Sequence, residues 1–311
     1  MIEKLFYLFY TLLYTIVLLF FLPFEYLKRS LDLRKTWLRE RLGFLPTDSI
    51  TGFSGYKVIW IHAVSVGETI SSVPFVQEIL KRFPSVRVIL TTVTDTGQKV
   101  ARERLSGNAL IFYLPFDLPF SIKRFIMAIR PSLYISVETE IWPNLFRLLK
   151  KEGIPVLIMN GRISDDSFKG YRKIRFFMKR IFDAVDLFCM QEALYGERIK
   201  TLGAPAERIR VTGNFKFDIR IDEYRHDWVR QLHRPVILAG STHEGEEDMI
   251  LRACERLKKD IGDMTLIIAP RHPERFGEVE EIIKRNGFRY TKRSRIDDRD
   301  IATLRDTGVI L

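Results

Sequence analysis

The sequence has few of the features that define several common protein classes. Its two cysteines, Cys189 and Cys254, form no CxxC pair, which argues against a disulfide framework and a structural zinc site and favours two buried thiols in a reducing compartment. It has no P-loop, no GxGxxG between a strand and a helix, and no DxD pair after a strand. These absences argue against a P-loop enzyme, and we expect chemistry without a metal ion.

Charged side chains are missing from residues 5–24. In a helix, about 20 residues are enough to cross the roughly 30 Å hydrocarbon core of a bilayer. The segment ends in LFFLPFEY without the small residues of a cleavage site, which argues against a removed signal peptide. We therefore expect a single-pass membrane anchor over residues 1–25.

Basic residues follow this anchor at Lys28, Arg29, Arg34, Lys35, Arg39 and Arg41. Such a flank stays in the cytoplasm, so the rest of the chain is expected there. An amphipathic helix on anionic headgroups is a further interpretation of Glu25–Arg41, with Leu27, Leu31, Leu33 and Trp37 facing lipid. The formal net charge of +11 suits anionic partners, and the anchor favours anionic lipid over nucleic acid.

Short apolar runs alternate with helical patterns from residue 57 onward. The runs are Val58–Ile61, Val86–Thr92, Leu110–Tyr113, Leu133–Val137, Val156–Met159, Leu187–Met190 and Ile209–Val211. Because these runs lack polar alternation, they predict strands buried on both faces of a parallel sheet. The fold class is therefore α/β and doubly wound, with ligands expected at the carboxyl ends of the strands.

A second, shorter series of strand and helix patterns begins at Pro235 and ends with the strand-like run Thr307–Leu311. No helix follows that run to cover the sheet, so we expect the second domain to be incomplete. The predicted segments are an anchor (1–25), a basic juxtamembrane segment (26–54), a first domain (55–212), a linker (213–234) and a partial second domain (235–311).

Four residues around the turn after the first predicted strand are candidates for structural or functional roles. Ser65 and Glu68 have the spacing of a capping box, which is the better interpretation from spacing alone. Glu68 is also placed to remove a proton from an attacking hydroxyl group. Gly67 permits a tight turn or the close approach of a ligand, and His62 is expected to be a packed strand-end residue.

Two further motifs follow other strands of the first domain. Glu138 and Glu140 flank Thr139 at a strand end, where they form either a functional carboxylate pair or decoration of a helix that starts near Pro143. Lys216 stands between two phenylalanines where the last strand meets the linker. It suits a carboxylate or phosphate ligand, and a solvated lysine is an equally good interpretation.

The second domain carries two candidate anion sites. Ser241 and Thr242 follow its first strand and precede a helix, and Pro270 and Arg271 follow its next strand. Together they predict half of a nucleotide site. In the first domain, residues 168–182 are expected to form one basic amphipathic helix that contacts the solvent or lipid phosphates. Its candidate contact residues are Lys169, Arg172, Lys173 and Arg175.

The motifs HAVSVGE, ETEIWPN, GNFKFD, GSTHEGEE and PRHPER occur in this order behind the anchor. The sequence thereby closely resembles the Kdo (3-deoxy-D-manno-octulosonic acid) transferases. The resemblance implies a GT-B fold, in which two Rossmann-like domains face a cleft. It also implies transfer of Kdo from CMP-Kdo to a lipid A precursor at the inner membrane, with inversion and without a cofactor.

The resemblance further implies roles for residues of the motifs. Glu68 corresponds to the general base, Pro270 and Arg271 to CMP-binding residues, and Glu138, Glu140 and Lys216 to residues lining the cleft. The family's later D-T-x-G-E-L and N-P-L-E motifs are absent, which agrees with an incomplete donor domain. The alternatives are an envelope GT-B enzyme that uses a UDP-sugar and an inactive anchored fragment that binds anionic lipid.

Overall fold

The apolar runs form two parallel sheets, one in each of two units of the chain. A computed structural model describes residues 2–46, 50–53, 55–218, 227–232, 234–296 and 308–311. The chain divides into Met1–Arg220, here called unit 1, and Ile221–Leu311, here called unit 2. The predicted linker lies partly outside the described residues.

Unit 1 contains a seven-stranded sheet in the order β3-β2-β1-β4-β5-β6-β7, with every neighbouring pair parallel. Its strands are β1 (Lys57–His62), β2 (Val86–Thr92), β3 (Ala109–Tyr113), β4 (Pro131–Val137), β5 (Val156–Gly161), β6 (Leu187–Met190) and β7 (Ile209–Val211). All seven predicted strands are confirmed. Parallel strands need crossover connections, and the helical patterns between the runs supply them.

Helices connect these strands and enclose two hydrophobic clusters. They are α3 (Val66–Arg82), α4 (Asp95–Leu105), α5 (Pro119–Ile129), α6 (Pro143–Lys151), α7 (Asp165–Lys173), α8 (Arg175–Phe182) and α9 (Ala193–Thr201). Trp60 belongs to the cluster with α5 and α6, whereas the next residue, Ile61, belongs to the cluster with α3 and α4. Successive side chains of a strand point to opposite faces, so the sheet is covered on both sides.

The single helix expected over residues 168–182 is wrong. Ile174 leaves the helical region with φ −115° and ψ 28°, and it separates α7 from α8. The break lets α8 turn Met178 and Phe182 into the core, while α7 buries none of its residues.

Two helices precede the sheet of unit 1. They are α1 (Ile2–Leu27) and α2 (Leu31–Arg41), which begins after Ser30. Within α1, Lys4–Leu27 is 24 residues long with a hydropathy of 2.3, long and apolar enough to cross a membrane. Its outward side exposes a row of apolar residues, among them Leu5, Leu8 and Phe9.

The expected lipid-facing role of Trp37 is wrong. The helical conformation is interrupted before Ser30, and only 3% of the Trp37 surface is exposed. Its ring packs edge-on against Phe116 at 5.8 Å, and the Arg29 guanidinium lies 4.0 Å from its centroid. Leu31 and Leu27, in contrast, are exposed. Helix α2 therefore packs Trp37 into unit 1 instead of presenting it to lipid.

Asp117 joins α1 to the start of α6. Its carboxylate accepts hydrogen bonds from the Asn144 and Leu145 amides at 3.1 and 2.8 Å and from the Tyr10 hydroxyl at 2.7 Å. The Tyr14 hydroxyl accepts the Asp117 N–H at 3.2 Å. A carboxylate at a helix N-terminus satisfies orphan amides and interacts favourably with the helix dipole.

Unit 2 contains a four-stranded parallel sheet in the order β10-β11-β9-β8. Its strands are β8 (Val236–Thr242), β9 (Thr265–Pro270), β10 (Tyr290–Thr291) and β11 (Val309–Ile310), and its helices are α10 (Glu246–Ile261) and α11 (Phe276–Arg285). A hydrophobic cluster that includes Leu251, Leu266 and Ile283 joins the helices to the sheet. The second βα series expected from the sequence is confirmed.

We predict that Asp117→Ala lowers the free energy of unfolding by about 3 kcal/mol, because it leaves two buried amides and a tyrosine hydroxyl without their acceptor. Asp166→Ala removes a side chain that is 97% exposed and should change stability by less than about 0.5 kcal/mol. Chemical denaturation in detergent measures both. Equal, small effects of the two substitutions would contradict this role of Asp117.

Candidate active site

The carboxyl ends of β1 and β4 bring two of the sequence motifs side by side. The two strands are neighbours, with His62 opposite Ser136. The loop that carries Glu68 follows β1, and Glu138 and Glu140 follow β4. The strand-end position predicted for these carboxylates is therefore the observed one.

Glu68 is held by the turn that precedes α3. Its Oε2 accepts the Val64 N–H at 2.8 Å, and its Oε1 accepts the Ser65 hydroxyl at 2.8 Å. The Glu68 N–H in turn donates to the Ser65 Oγ at 3.3 Å, with Ser65 as the helix N-cap. The reciprocal bonding expected of a capping box is present, except that the carboxylate bonds the amide of Val64, one residue before the cap.

The surroundings of Glu68 make its carboxyl group more basic. Burial raises the pKa of Glu68, and the nearby carboxylate of Glu138 raises it further. The hydrogen bonds from Val64 and Ser65 and the charge of Lys216 act in the opposite direction but do not cancel the increase. A carboxylate with a raised pKa is a better proton acceptor near neutral pH.

Glu138 pairs with Lys216 across the carboxyl edge of the sheet. The Lys216 Nζ donates to the Glu138 Oε1 at 3.0 Å. Glu138 has a φ of 59°, which lies in the left-handed region that residues other than glycine seldom adopt. Non-glycine residues in such conformations cluster at functional sites, where the surrounding structure maintains the strain.

Glu140 is the third carboxyl group of the cluster. Burial, followed by the charges of Glu68 and Glu138, raises the pKa of Glu140 to about 7. Burial and neighbouring charges thus raise the pKa of two carboxyl groups at this edge, Glu68 and Glu140.

The interpretation of Glu138 and Glu140 as helix decoration is wrong. Helix α6 begins at Pro143, and the amides at its start bond to Asp117. The two glutamates therefore do not cap α6. Glu138 instead pairs with Lys216, and Glu140 lies near enough to Glu68 and Glu138 for their charges to raise its pKa.

A network of amide side chains fixes the loop that carries Lys216. The buried Asn160 accepts the Phe215 N–H at 3.3 Å, and the Asn214 Oδ1 accepts the Lys216 N–H at 3.0 Å. Gln191 links the two by donating to the Asn160 carbonyl at 2.9 Å and accepting from Asn214 at 3.4 Å. Lys216 thereby starts from a defined backbone position, which disfavours the interpretation as an untethered solvated lysine.

His62 and Gly67 complete this edge of the sheet. His62 is fully buried, its Nδ1 lies 3.0 Å from the Thr91 carbonyl oxygen, and burial lowers its pKa to about 3. The expectation of a packed strand-end residue is confirmed. Gly67 is the second residue of α3 and has no positive φ, so the tight-turn interpretation is wrong. Its outward position is exposed and leaves space for a ligand.

In unit 2, the motif after β8 is built around a buried ion pair. Glu247 is fully buried and accepts the Thr242 hydroxyl at 2.7 Å and the Arg275 Nη1 and Nη2 at 2.9 and 3.2 Å. Burial raises the pKa of Glu247, but the bonds from Arg275 and Thr242 outweigh it and hold the pKa below its usual value. Thr242 is thus committed to Glu247, whereas Ser241 is exposed, with a φ of 59°.

Arg271 lies at the end of the neighbouring strand. The backbone N–H of Arg271 donates to the Thr242 carbonyl at 3.0 Å, which joins the two motifs of unit 2. The Arg271 side chain is exposed, and Pro270 is half-buried at the end of β9. The structure therefore brings Ser241, Pro270 and Arg271 to one edge of the second sheet.

The basic residues predicted to contact lipid lie on and after α7. Lys169, Arg172, Lys173 and Arg175 are all exposed. Lys169 lies 3.8 Å from Asp166, a pairing between two solvated side chains that contributes little to stability. These cations are free to contact an anionic surface.

Several residues of the two sites were missed by sequence reasoning. Asn160, Asp117 and the Glu247–Arg275 pair act on partners that are distant in the sequence. Arg275 was noticed only as part of a motif. The sole local signal was the position of Asn160 at the carboxyl end of a predicted strand.

Comparison with known proteins bears on the fold and on the family of this chain. A putative UDP-N-acetylglucosamine 2-epimerase from Listeria monocytogenes superposes with a TM-score of 0.53 and 12% identity, over 82% of this chain and 74% of that one. At this identity the likeness shows the fold alone. Together with the two parallel α/β units it confirms the expected GT-B type of fold.

The family model described as 3-deoxy-D-manno-octulosonic-acid transferase (kdotransferase) matches residues 36–219. Because this is more than half of the chain, the chain belongs to that family. A 3-deoxy-D-manno-octulosonic acid transferase from Haemophilus influenzae is 37% identical over 83% of this chain and 61% of its own length. A bifunctional glycosyltransferase/methyltransferase from Fusobacterium nucleatum is 33% identical over 93% of this chain and 44% of its own length. The chain thus spans about half the length of these relatives.

We predict that Glu140→Gln stabilises the protein at high pH. A folded-state pKa of about 7, above the usual 4.5, means that wild-type stability falls as the pH rises between these values. Glutamine resembles the protonated form, so the gain should be absent at pH 4 and on the order of 3 kcal/mol above pH 7. Denaturation across this pH range measures it. The same gain at pH 4 would disprove the assigned ionisation.

Proposed function

We propose that this protein is an inverting glycosyltransferase that transfers Kdo from CMP-Kdo to a lipid A precursor, as a step in building the lipopolysaccharide core. The observation that carries the proposal is the position of Glu68. It is a buried carboxylate with a raised pKa at the carboxyl edge of the sheet, within a chain of the Kdo transferase family.

In the proposed reaction, Glu68 accepts the proton of the acceptor hydroxyl. The freed oxygen forms a bond to the anomeric carbon of Kdo from the side opposite the phosphate, while the bond from that carbon to the CMP oxygen breaks. A single displacement of this kind inverts the configuration. Arg271 is proposed to stabilise the negative charge of the departing CMP, which makes a metal ion unnecessary.

The other polar residues of unit 1 are proposed to tune this base. Lys216 balances the charge of Glu138 at 3.0 Å, and Glu140 is partly protonated near neutral pH because its pKa is about 7. Both effects reduce the negative charge that surrounds the carboxylate of Glu68. The hydrogen bonds from Val64 and Ser65 hold the carboxylate in place, so less reorganisation is needed during the reaction.

The features that support the proposed acceptor and location are α1 and the exposed cations. The apolar outward side of α1 is proposed to hold the chain at the cytoplasmic face of the inner membrane. Lys169, Arg172, Lys173 and Arg175 are proposed to contact the phosphates of the acceptor or of anionic lipids. Ser241, Thr242, Pro270 and Arg271 are proposed to form the part of the CMP site that this chain contains. No cofactor and no nucleic acid are proposed.

We predict that Glu68→Gln lowers the rate of Kdo transfer by about 100- to 10,000-fold, because the amide cannot accept the proton. Mass spectrometry of the lipid product measures the rate, and melting temperatures check the fold. Glu103→Gln, an exposed change on α4, is the matched control and should keep full activity. Near-normal transfer by the folded Glu68 variant would refute the assigned base.

We predict that unit 2 binds CMP in preference to UDP, and that Arg271→Ala weakens CMP binding about tenfold or more, because a charged hydrogen-bond donor is lost. Isothermal titration measures both nucleotides. Arg256→Ala, an exposed arginine on α10, serves as the control. A preference for UDP would instead support another envelope glycosyltransferase. Salt-sensitive polyanion binding without nucleotide preference would support a binding module.

A further inference from the structure

A cationic pocket of about 620 Å³ lies between α1, α6 and α8 of unit 1. Arg147, Lys150 and Lys151 of α6 line it on one side, and Lys179 and Arg180 of α8 line the other. None of these five residues belongs to the carboxylate cluster around Glu68. We call this group the cationic pocket.

The cationic pocket has more positive charge than its surroundings neutralise. Asp183 is the one acidic residue in the lining, and within the described ranges none of the five cations pairs with a carboxylate. The carboxyl ends of α6 and α8 converge here, but two helix dipoles together supply only about one negative charge. Cations that line the same pocket repel one another, and an anion between them reduces that repulsion.

One wall of the pocket is part of the apolar helix α1. The Arg147 guanidinium lies 4.5 Å from the centroid of the Tyr7 ring. Next to it, Phe6 stacks on Phe177 with centroids 4.6 Å apart. On the outward side of the same helix turn, Leu8 is 66% exposed. The cations therefore lie beside a surface suited to acyl chains. This arrangement is complementary to an anionic phospholipid, whose charged headgroup adjoins its acyl chains.

The pocket is remote from the carboxylate cluster. Lys150 and Lys151 end α6 shortly before β5 begins, so they lie at the amino edge of the sheet. Glu68 and Glu138 lie at the carboxyl edge. Strand β4 has seven residues, and at about 3.3 Å per residue the edges are about 20 Å apart. A molecule in the pocket is thus not the hydroxyl donor at Glu68.

Contacts along α1 keep both of its ends beside unit 1. Tyr7 contacts Arg147 near the start of the helix, Tyr10 bonds Asp117 further along, and Leu22 packs in the cluster of Trp37. With α1 fixed in this way to a charged domain, the single-pass crossing expected from the sequence would bring charged side chains into the bilayer, which is costly. Its exposed apolar side enters the membrane at low cost when α1 lies parallel to the surface.

We propose that the cationic pocket binds the phosphate headgroup of an anionic membrane phospholipid, with α1 lying in the membrane plane beside it. The lipid's acyl chains continue along the apolar outward side of α1, and its phosphate lies among the α6 and α8 cations. This site holds unit 1 at a fixed depth and orientation in one leaflet. It is independent of the proposed reaction.

Native mass spectrometry of the full chain in non-ionic detergent, titrated with phosphatidylglycerol or phosphatidylcholine, tests the proposal without donor or acceptor. The pocket variant carries Lys150→Gln, Lys179→Gln and Arg180→Gln. We expect it to bind the first phosphatidylglycerol about a hundredfold more weakly than wild type, at about fivefold per cation. The charge-matched control, Lys81→Gln, Arg104→Gln and Lys123→Gln, changes exposed residues outside the pocket and should bind like wild type.

A second variant and a competition measurement complete the test. If the triple variant fails to fold, Lys151→Gln with Lys179→Gln changes two exposed residues and should weaken binding by about 25-fold. Inorganic phosphate should compete poorly, since it lacks acyl chains. Equal affinity of wild type and pocket variants for phosphatidylglycerol would overturn the proposal. Displacement of the lipid by equimolar phosphate, or equal binding of phosphatidylcholine, would overturn it too.

Discussion

The arrangement of unit 1 depends on how one lysine and a few hydrogen bonds compensate three carboxyl groups at the carboxyl edge of the sheet. Burial raises the pKa values of Glu68 and Glu140, and the charge of Glu138 raises both of them further. Three full charges in such a place would be costly. Lys216 neutralises one of them, and partial protonation of Glu140 lessens another. Glu68 is the carboxylate that keeps its negative charge without a lysine partner. Hydrogen bonds from Val64 and Ser65 hold it in a single orientation.

The structural and catalytic interpretations of Glu68 are compatible. A capping residue is rigid because the turn fixes its rotamer, and a general base benefits from the same rigidity. The hydrogen bonds that hold the carboxylate also lower its pKa, so capping alone would make it a weaker base. Burial and the neighbouring carboxylate of Glu138 reverse that effect. The local turn therefore sets the position of Glu68, and its tertiary surroundings set its basicity.

The order of strands and helices could be predicted from the sequence because buried parallel strands and amphipathic helices leave strong local patterns. The strand-end rule also placed Glu68, Glu138 and Glu140 at one edge. Sequence patterns could not find the contacts of Asp117 with Asn144 or the fixed position of Asn160, since those partners are distant in the chain. The break at Ile174 was missed for a related reason. Helix α8 buries Met178 and Phe182 in the core. The basic residues recur at helical spacing on both sides of Ile174, so the local pattern does not show the break.

The burial of Trp37 and the docking of α1 change what the apolar N-terminal segment can do. Hydropathy alone treats such a helix as a free anchor, but Tyr10 and Tyr14 give α1 a polar side that bonds to Asp117. Asp117 also caps α6, the helix that follows the strand-end glutamates. The apolar helix α1 and the helix that follows Glu138 and Glu140 therefore share one buried carboxylate. Removing that carboxylate would therefore weaken both the contact of α1 with unit 1 and the start of α6.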